Sequence, residues 1–170
     1  LPEAADWTTS TLQITIPQNV TAMTLFHILY SVGSLEIDSF SMTSDTADTP
    51  PVLVSPPAPT PSPVPNLIKN ASFETAGTNG NPLNWFRGGW GTNSRFFTYP
   101  IAGIDGAKAA KVEITSYTDG DAKWYFEDVP VTGGKEYTLS HLYKATIPTE
   151  ILARFTTNSG IEYHYLSTAP

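Results

Sequence analysis

Proline is the residue that most constrains how this chain can fold, because eight of its 15 prolines lie within residues 46–65. A proline nitrogen within a chain carries no hydrogen, so a stretch this rich in proline cannot supply a central β-strand. It predicts an extended, polyproline-like linker. A second interpretation stays open, in which residues 52–54 dock as a short strand within an ordered surface loop. Both interpretations separate residues 1–45 from residues 66–170.

The distribution of charge changes near the same boundary. Residues 1–68 contain six acidic residues and no lysine or arginine, whereas all nine basic residues lie between positions 69 and 154. The net charge of −7 repels polyanions, which argues against nucleic acid and anionic membranes as partners. With no cysteine in the chain, disulfides and thiolate nucleophiles are excluded. No apolar run is long enough to span a bilayer, so we expect a soluble chain without membrane insertion.

Alternating apolar and polar residues predict short strands on both sides of the linker. Leu12, Ile14 and Ile16 share one face of the first predicted strand. The other predicted strands are residues 22–30, 35–42, 107–115, 123–129, 137–145, 151–156 and 161–166. Residues 77–106 are rich in glycine and are predicted to be mostly loop. The regular spacing of strands and turns predicts an all-β fold, a jelly-roll β-sandwich of two antiparallel sheets.

Three strands in residues 1–45 are too few to enclose a core. We therefore expect residues 1–45 to pack on residues 66–170, either of the same chain or of a neighbour. Otherwise each part would expose sheet edges and an apolar face.

Two motifs resemble a known family. The segment NLIKNASFE at 66–74, followed by the Trp-bearing loop at Trp85, resembles the opening strand of jelly-roll carbohydrate-binding modules of the family 4, 9, 16 and 22 type. The segment GGKEYTLS at 133–140 resembles their central strand. Residues 1–45 are similar to the closing strands of the same module. The order is permuted, as if the chain were one period of a tandem repeat or a permuted module closed on itself.

This resemblance implies an extracellular or cell-surface protein that binds a polysaccharide without catalysis. Sugar rings present apolar faces ringed by hydroxyl groups, so binding sites combine flat aromatic side chains with planar hydrogen-bonding groups. The acidic, aromatic-rich composition favours a neutral or weakly polar glycan. The candidate binding residues are Trp85, Trp90, Arg87, Asn93, Trp124 and Tyr125. Trp124 and Tyr125 are neighbours on a strand, so one of the two must point inward.

The resemblance also implies a structural calcium ion that links the opening and closing strands. Calcium prefers carboxylate and carbonyl oxygens. The two carboxylates that match the family are Glu74 and Asp38, and the further candidates are Ser72, Lys108 and Asp105. Ordinary turn capping by these residues is the alternative interpretation.

No nucleophile, paired-carboxylate or metal motif predicts an enzyme. His27, His141 and His164 are scattered, so we expect packing or surface roles rather than zinc ligation. An alternative function remains open: a structural, adhesin-like or filament-forming repeat, in which neighbouring units associate by strand complementation.

Overall fold

The computed structural model describes residues 1–44 and 64–167, and these residues form antiparallel strands with no helix among them. The strands are β1 Ala4–Thr15, β2 Val20–Ile28, β3 Gly33–Ser44, β4 Trp85–Trp90, β5 Asn93–Ala102, β6 Lys108–Tyr117, β7 Asp121–Phe126, β8 Val129–Pro130, β9 Glu136–Ala145, β10 Glu150–Thr157 and β11 Gly160–Ser167. Nearly all of the predicted linker, residues 46–63, lies outside the described residues.

The strands are arranged in antiparallel sheets, as in a β-sandwich. The first sheet has five strands in the order β1-β9-β3-β6-β5, and the second has the order β11-β10-β2-β8. Strands β4 and β7 form a two-stranded sheet. Leu29, just after β2, and Ala122 on β7 exchange backbone hydrogen bonds of 2.9 and 2.8 Å. The β4-β7 pair therefore extends the second sheet beyond β2.

The parts of the chain before and after the linker interleave in both sheets. Strand β3 lies between β9 and β6, and β1 pairs with β9. Strand β2 pairs with β10 in the second sheet. The expectation that the two parts pack together is confirmed, and the packing occurs within one chain.

Inward-facing side chains from the two sheets meet in one core. Leu35 and Ile37 on β3 alternate with polar residues and are buried in it. Ile151 and Phe155 on β10 enter the same core from the second sheet. Burial of such a side chain contributes about 1.5–3 kcal/mol to stability. The apolar residues of the alternating pattern are thus the ones that pack between the two sheets.

A buried polar contact also links the sheets. His27 on β2 and His141 on β9 lie with Nδ1 and Nε2 2.8 Å apart, and His27 Nε2 lies 2.7 Å from Thr149 Oγ1. Both rings are buried, and Phe40 stacks on His141 with ring centroids 4.5 Å apart. Burial lowers the pKa of His141 to about 3 and the pKa of His27 well below 6.5. Two neutral imidazoles satisfy the contact, because one ring donates N–H and the other accepts it.

The structure corrects two strand predictions. Residues 77–106 are not mostly loop, because they contain β4 and β5. Both are edge strands, where glycine and proline are tolerated, and Pro100 falls at a register shift between Thr98 and Ile101. Conversely, residues 66–74 form turns instead of an opening strand, and Asn70 and Phe73 have positive φ angles. The segment is tied to β3 by the backbone hydrogen bond from Leu67 N–H to Met42 O, at 2.9 Å, and by the Asn66 side chain, which accepts Met42 N–H and donates to Phe40 O.

Candidate functional site

A groove of about 600 Å³ lies on the outer face of the second sheet, with side chains from β2, β4, β7, β10 and β11 around it. We call it the aromatic groove. Residues that line it include Phe26, Trp90, Asp121, Lys123, Tyr125, Arg154, Tyr163 and Tyr165. Outward-facing positions of neighbouring strands come together here, because alternate residues of each strand face the same side of a sheet.

Exposed aromatic rings stand at both ends of the aromatic groove. Trp90 on β4 is 62% exposed at one end of the second sheet. Tyr163 and Tyr165, also exposed, lie at the other end on β11. Between them the buried ring of Phe26 contacts the edge of Tyr125, with centroids 5.3 Å apart. The groove therefore offers flat apolar faces at intervals across the sheet.

Hydrogen bonds fix the position of the Trp90 ring. The indole Nε1–H donates to Asp121 Oδ2 at 3.1 Å, and Asp121 Oδ1 lies 2.6 Å from Lys123 Nζ. Lys123 Nζ in turn lies 4.8 Å from the centre of the Phe26 ring. Trp90 is thus held before any ligand binds, which reduces the entropy that binding must cost.

Glycine on β4 makes room for the groove. A Cβ atom on Gly88 would lie 3.0 Å from Tyr125 Cε1, so glycine lets the tyrosine ring lie across β4. The turn after Trp90 needs glycine as well. Gly91 has a φ of +80°, and a Cβ there would meet Asp119 O at 2.6 Å.

Charges in the aromatic groove are compensated in pairs. Arg154 in the groove has its Nη2 2.5 Å from Oδ1 of Asp128, which lies outside the groove lining, and Lys123 pairs with Asp121 inside it. The Arg154 guanidinium also lies over the Tyr125 ring, 5.5 Å from its centre. Two cations and two carboxylates thus sum to zero charge. The charged side chains of the groove can still form hydrogen bonds with the hydroxyl groups of a ligand.

The structure brings Trp90 and Tyr125 into the groove and places the other predicted aromatics elsewhere. Trp85 and Trp124 are 2% and 1% exposed in the core, so neither presents a face to a sugar. Trp85 Nε1–H donates to Asn70 O, and Trp124 Nε1–H donates to Lys111 O. The prediction is corrected for both residues, because each occupies an inward position of its strand.

The predicted polar partners are also outside the groove. Arg87 lies on the same side of β4 as Trp85, and its guanidinium lies 5.4 Å from the centre of the Trp124 ring. Asn93 Nδ2–H donates to Trp90 O and Asp119 O, at 3.0 and 2.9 Å. Asn93 thus holds the turn that follows Trp90 and does not line the groove. The basic side chains that do line the groove are Lys123 and Arg154.

Sequence reasoning missed several groove residues. Tyr163 and Tyr165 are two positions apart on a predicted strand, a signal that they share a face. What the sequence does not reveal is that β11 lies beside β10, four strands from β4. Phe26 was hidden in the apolar run of residues 22–30, in which both faces are hydrophobic.

The residues predicted to bind calcium surround the loop between β5 and β6. Glu74 Oε1 accepts backbone N–H groups of Ala107 and Lys108, both at 2.8 Å. Asp38 is fully buried and accepts N–H groups of Ser39, Ile104 and Asp105 at 2.7–3.2 Å. Burial raises the pKa of Asp38 because it disfavours the charged carboxylate.

The other candidates border the same loop. Asp105 Oδ2 accepts the Ser39 hydroxyl at 2.9 Å, and Lys108 Nζ donates to Glu74 O at 2.7 Å. Ser72 is partly buried in the turn before Glu74. A Cβ on Gly103 would lie 2.6 Å from Lys108 O and 2.9 Å from Asp38 Oδ2, so these two oxygens approach one point. This carboxylate and carbonyl donor set suits a hard cation, although no three Asp, Glu, His or Cys side chains of the described residues cluster closely enough to hold one.

No protein-family model, curated protein or solved structure matches the chain. Within the described ranges, no helix is long and apolar enough to cross a membrane.

Proposed function

We propose that this chain is a non-catalytic carbohydrate-binding module that holds a polysaccharide in the aromatic groove. One observation carries the proposal: Trp90, fixed by Asp121, faces solvent in the same groove as Tyr163 and Tyr165. A groove with several exposed aromatic rings beside polar groups is typical of a ligand-binding or interaction surface. Sugar rings suit them because their C–H faces are apolar while their edges carry hydroxyl groups.

A neutral glycan fits the groove better than an anionic one. The two cations of the groove are already paired with Asp121 and Asp128, and the chain as a whole carries a charge of −7. An added anionic sugar would find no unpaired positive charge among these groups and would meet a repulsive field. Each stacking contact contributes on the order of 1 kcal/mol, so one module binds weakly and repetition in an array raises the avidity.

The carboxylates of Asp121 and Asp128 are already bonded to neighbouring side chains, which favours binding over catalysis. A glycosidase needs one carboxylic acid and one carboxylate placed to act on the sugar bond. Here Asp121 bonds Trp90 and Lys123, and Asp128 bonds Arg154 and Thr156. Both carboxylates hold other side chains of the groove in place.

A jelly-roll topology, an extracellular or cell-surface location and a place in a tandem repeat belong to the same proposal. Their support is the resemblance of two motifs. Residues 133–140, which resemble the central strand of the family, run into β9, an interior strand between β1 and β3. The arrangement of β1 to β3 among strands from after the linker supports the permuted order.

Calcium is part of the proposal as a structural ion at the loop between β5 and β6. Asp38, Glu74 and the Lys108 carbonyl would hold it, with Asp105 and Ser72 nearby. Its contribution would be to join the middle of β3 to the segment before β4. The alternative role of the same carboxylates is to accept backbone N–H groups, which they do in the structure.

Affinity measurements with Trp90 variants test the proposal. Trp90 lies on β4, at the opposite end of the second sheet from β11, so its substitution leaves β11 unchanged. Binding is measured to the neutral polysaccharides β-glucan, xylan and mannan and to an anionic polyuronate. Trp90→Ala should weaken binding to a neutral polysaccharide about fivefold, the equivalent of about 1 kcal/mol, and Trp90→Phe should retain most of it.

Phe96→Ala is the matched control. Phe96 is also an exposed aromatic, but it lies on β5 in the first sheet. The control should bind like the unaltered chain. If the unaltered chain binds none of the polysaccharides, the proposed function fails; if Trp90→Ala and Phe96→Ala bind equally well, the groove is not the site.

A further inference from the structure

Strand β11 forms an edge of the second sheet. It pairs with β10, and the described part of the chain contributes no strand to its other side. From Tyr165 to Gly160 its pairing with β10 has no register shift. The outer edge of β11 therefore offers a straight row of backbone N–H and C=O groups, the template on which another strand can add.

Large apolar side chains accompany this open edge. Ile161, Tyr163 and Tyr165 are 56%, 59% and 65% exposed and share one face of β11. Exposed apolar residues along a regular edge strand are a feature that proteins ordinarily avoid unless the strand has a partner.

The other edge strands of the described sheets are interrupted, short or polar. Strand β5 has two register shifts and contains Pro100. Strand β1 pairs regularly from Thr8 to Thr15, but its exposed side chains there are threonine and glutamine. Strand β4 is short and contains Gly88 and Gly89, and β8 has two residues. Shifts, proline and glycine weaken strand addition. Only β11, among these edges, is both regular and apolar.

The sequence of β11 is complementary to itself. In an antiparallel pair of two copies centred on Tyr163, each Glu162 faces His164 of the second copy, and each Ile161 faces Tyr165 of the second copy. A carboxylate and an imidazole can hydrogen-bond, and they already lie 3.3 Å apart within one chain. An aliphatic side chain opposite an aromatic ring is a favourable cross-strand pair. A shift of one residue would break both matches.

We propose that two copies of this chain associate through β11, antiparallel and about a twofold axis at Tyr163. The second sheets of the two copies then form one continuous sheet. Because Tyr163 and Tyr165 also line the aromatic groove, the two grooves lie side by side on one face. The interface is short, so the association is reversible and depends on concentration. It goes beyond the proposed function and requires no glycan.

The absence of cysteine from the chain permits a sharp test. In the proposed dimer Tyr163→Cys places the thiol of one copy opposite the same thiol of the second copy. Their Cα atoms are about 5 Å apart, so a disulfide can form. Ile161→Cys and Tyr165→Cys are the matched controls, since each is similarly exposed but its Cα lies about 14 Å from the same Cα of the second copy in this register. The three variants are oxidised separately at equal concentrations, without polysaccharide.

Tyr163→Cys should form a disulfide-linked dimer at least tenfold faster than either control. A mixture of Ile161→Cys and Tyr165→Cys should give the mixed dimer at a comparable rate, because these two positions face each other. A mixture of Glu162→Cys and His164→Cys repeats the test at positions outside the apolar row. Equal rates for all combinations would overturn the proposed dimer. Neither result changes the test of polysaccharide binding with Trp90 variants, so the two proposals can fail separately.

Discussion

The aromatic groove and the interior both contain polar side chains, but the two regions use them differently. In the groove, charged groups pair with one another and hold exposed side chains, as Asp121 holds Trp90. In the interior, Asp38 accepts backbone N–H groups, and His27 pairs with His141 across the two sheets. The groove arrangement preorganises a surface for a ligand, whereas the interior arrangement satisfies groups that folding removes from water. Substitutions should therefore separate binding from stability.

Asp38→Ala should give the largest effect on stability. It removes the acceptor of three backbone N–H groups at a fully buried position. An unsatisfied buried donor costs about 1–3 kcal/mol, but these three N–H groups are only partly buried, so we expect a loss of about 3 kcal/mol in the free energy of unfolding, measured in urea. Polysaccharide binding by the remaining folded protein should be unchanged.

Asp105→Ala is the control for that substitution. Asp105 lies in the loop between β5 and β6 whose backbone Asp38 bonds, and it is exposed, with the Ser39 hydroxyl as its hydrogen-bond donor. Its loss should cost less than about 1 kcal/mol. Equal destabilisation by the two substitutions would contradict the distinction between buried and exposed carboxylates.

The sequence was sufficient to predict the interior more fully than the groove. Leu35, Ile37, Val112 and Ile114 alternate with polar residues, and all four are in the core. Alternation alone shows that a face is buried, because a sheet has only two faces. The number of predicted strands in residues 1–45 indicates that they need partner strands, although the sequence does not decide whether these come from the same chain or from a neighbour.

The groove was harder to predict because it depends on which strands are neighbours. Trp85 and Trp90 both lie in a glycine-rich segment, and the sequence does not distinguish the buried ring from the exposed one. The difference follows from their positions on β4, five residues apart and therefore on opposite faces. Tyr165 joins Trp90 only because β2, β7 and β10 lie between β4 and β11.

Acidification should lower the stability of the folded protein through the two buried histidines. In the folded protein the pKa of His141 is about 3 and the pKa of His27 is well below 6.5, whereas in the unfolded chain both are near 6.5. Below pH 6.5 the unfolded state therefore binds more protons than the folded state. The free energy of unfolding keeps the full contribution of the two histidines above that pH and decreases as the pH falls below it.

Between pH 6.5 and 5 His141 alone should lower the free energy of unfolding by about 1.5 kcal/mol, and His27 adds to the decrease in the same direction. Urea unfolding at intervals of half a pH unit measures the slope. The double variant His27→Phe, His141→Leu should lose most of this slope, while His164→Asn, at an exposed position on β11, should keep it. A slope that survives in the double variant would show that other groups cause it.

Calcium should give the smallest effect, and it should act on stability alone. The loop that Asp38 and Glu74 hold is already bonded through backbone N–H groups, so an ion would add to an ordered arrangement. For a dissociation constant of about 1 mM, typical of extracellular modules, 2 mM Ca²⁺ stabilises the folded protein by about 0.6 kcal/mol and raises Tm by about 1–2 °C. Differential scanning calorimetry with Ca²⁺, with Mg²⁺ and with excess chelator measures this shift, and Glu74→Gln should reduce it. If Tm is the same in all three solutions even at 20 mM Ca²⁺, the carboxylates serve the loop backbone and calcium has no part in the fold.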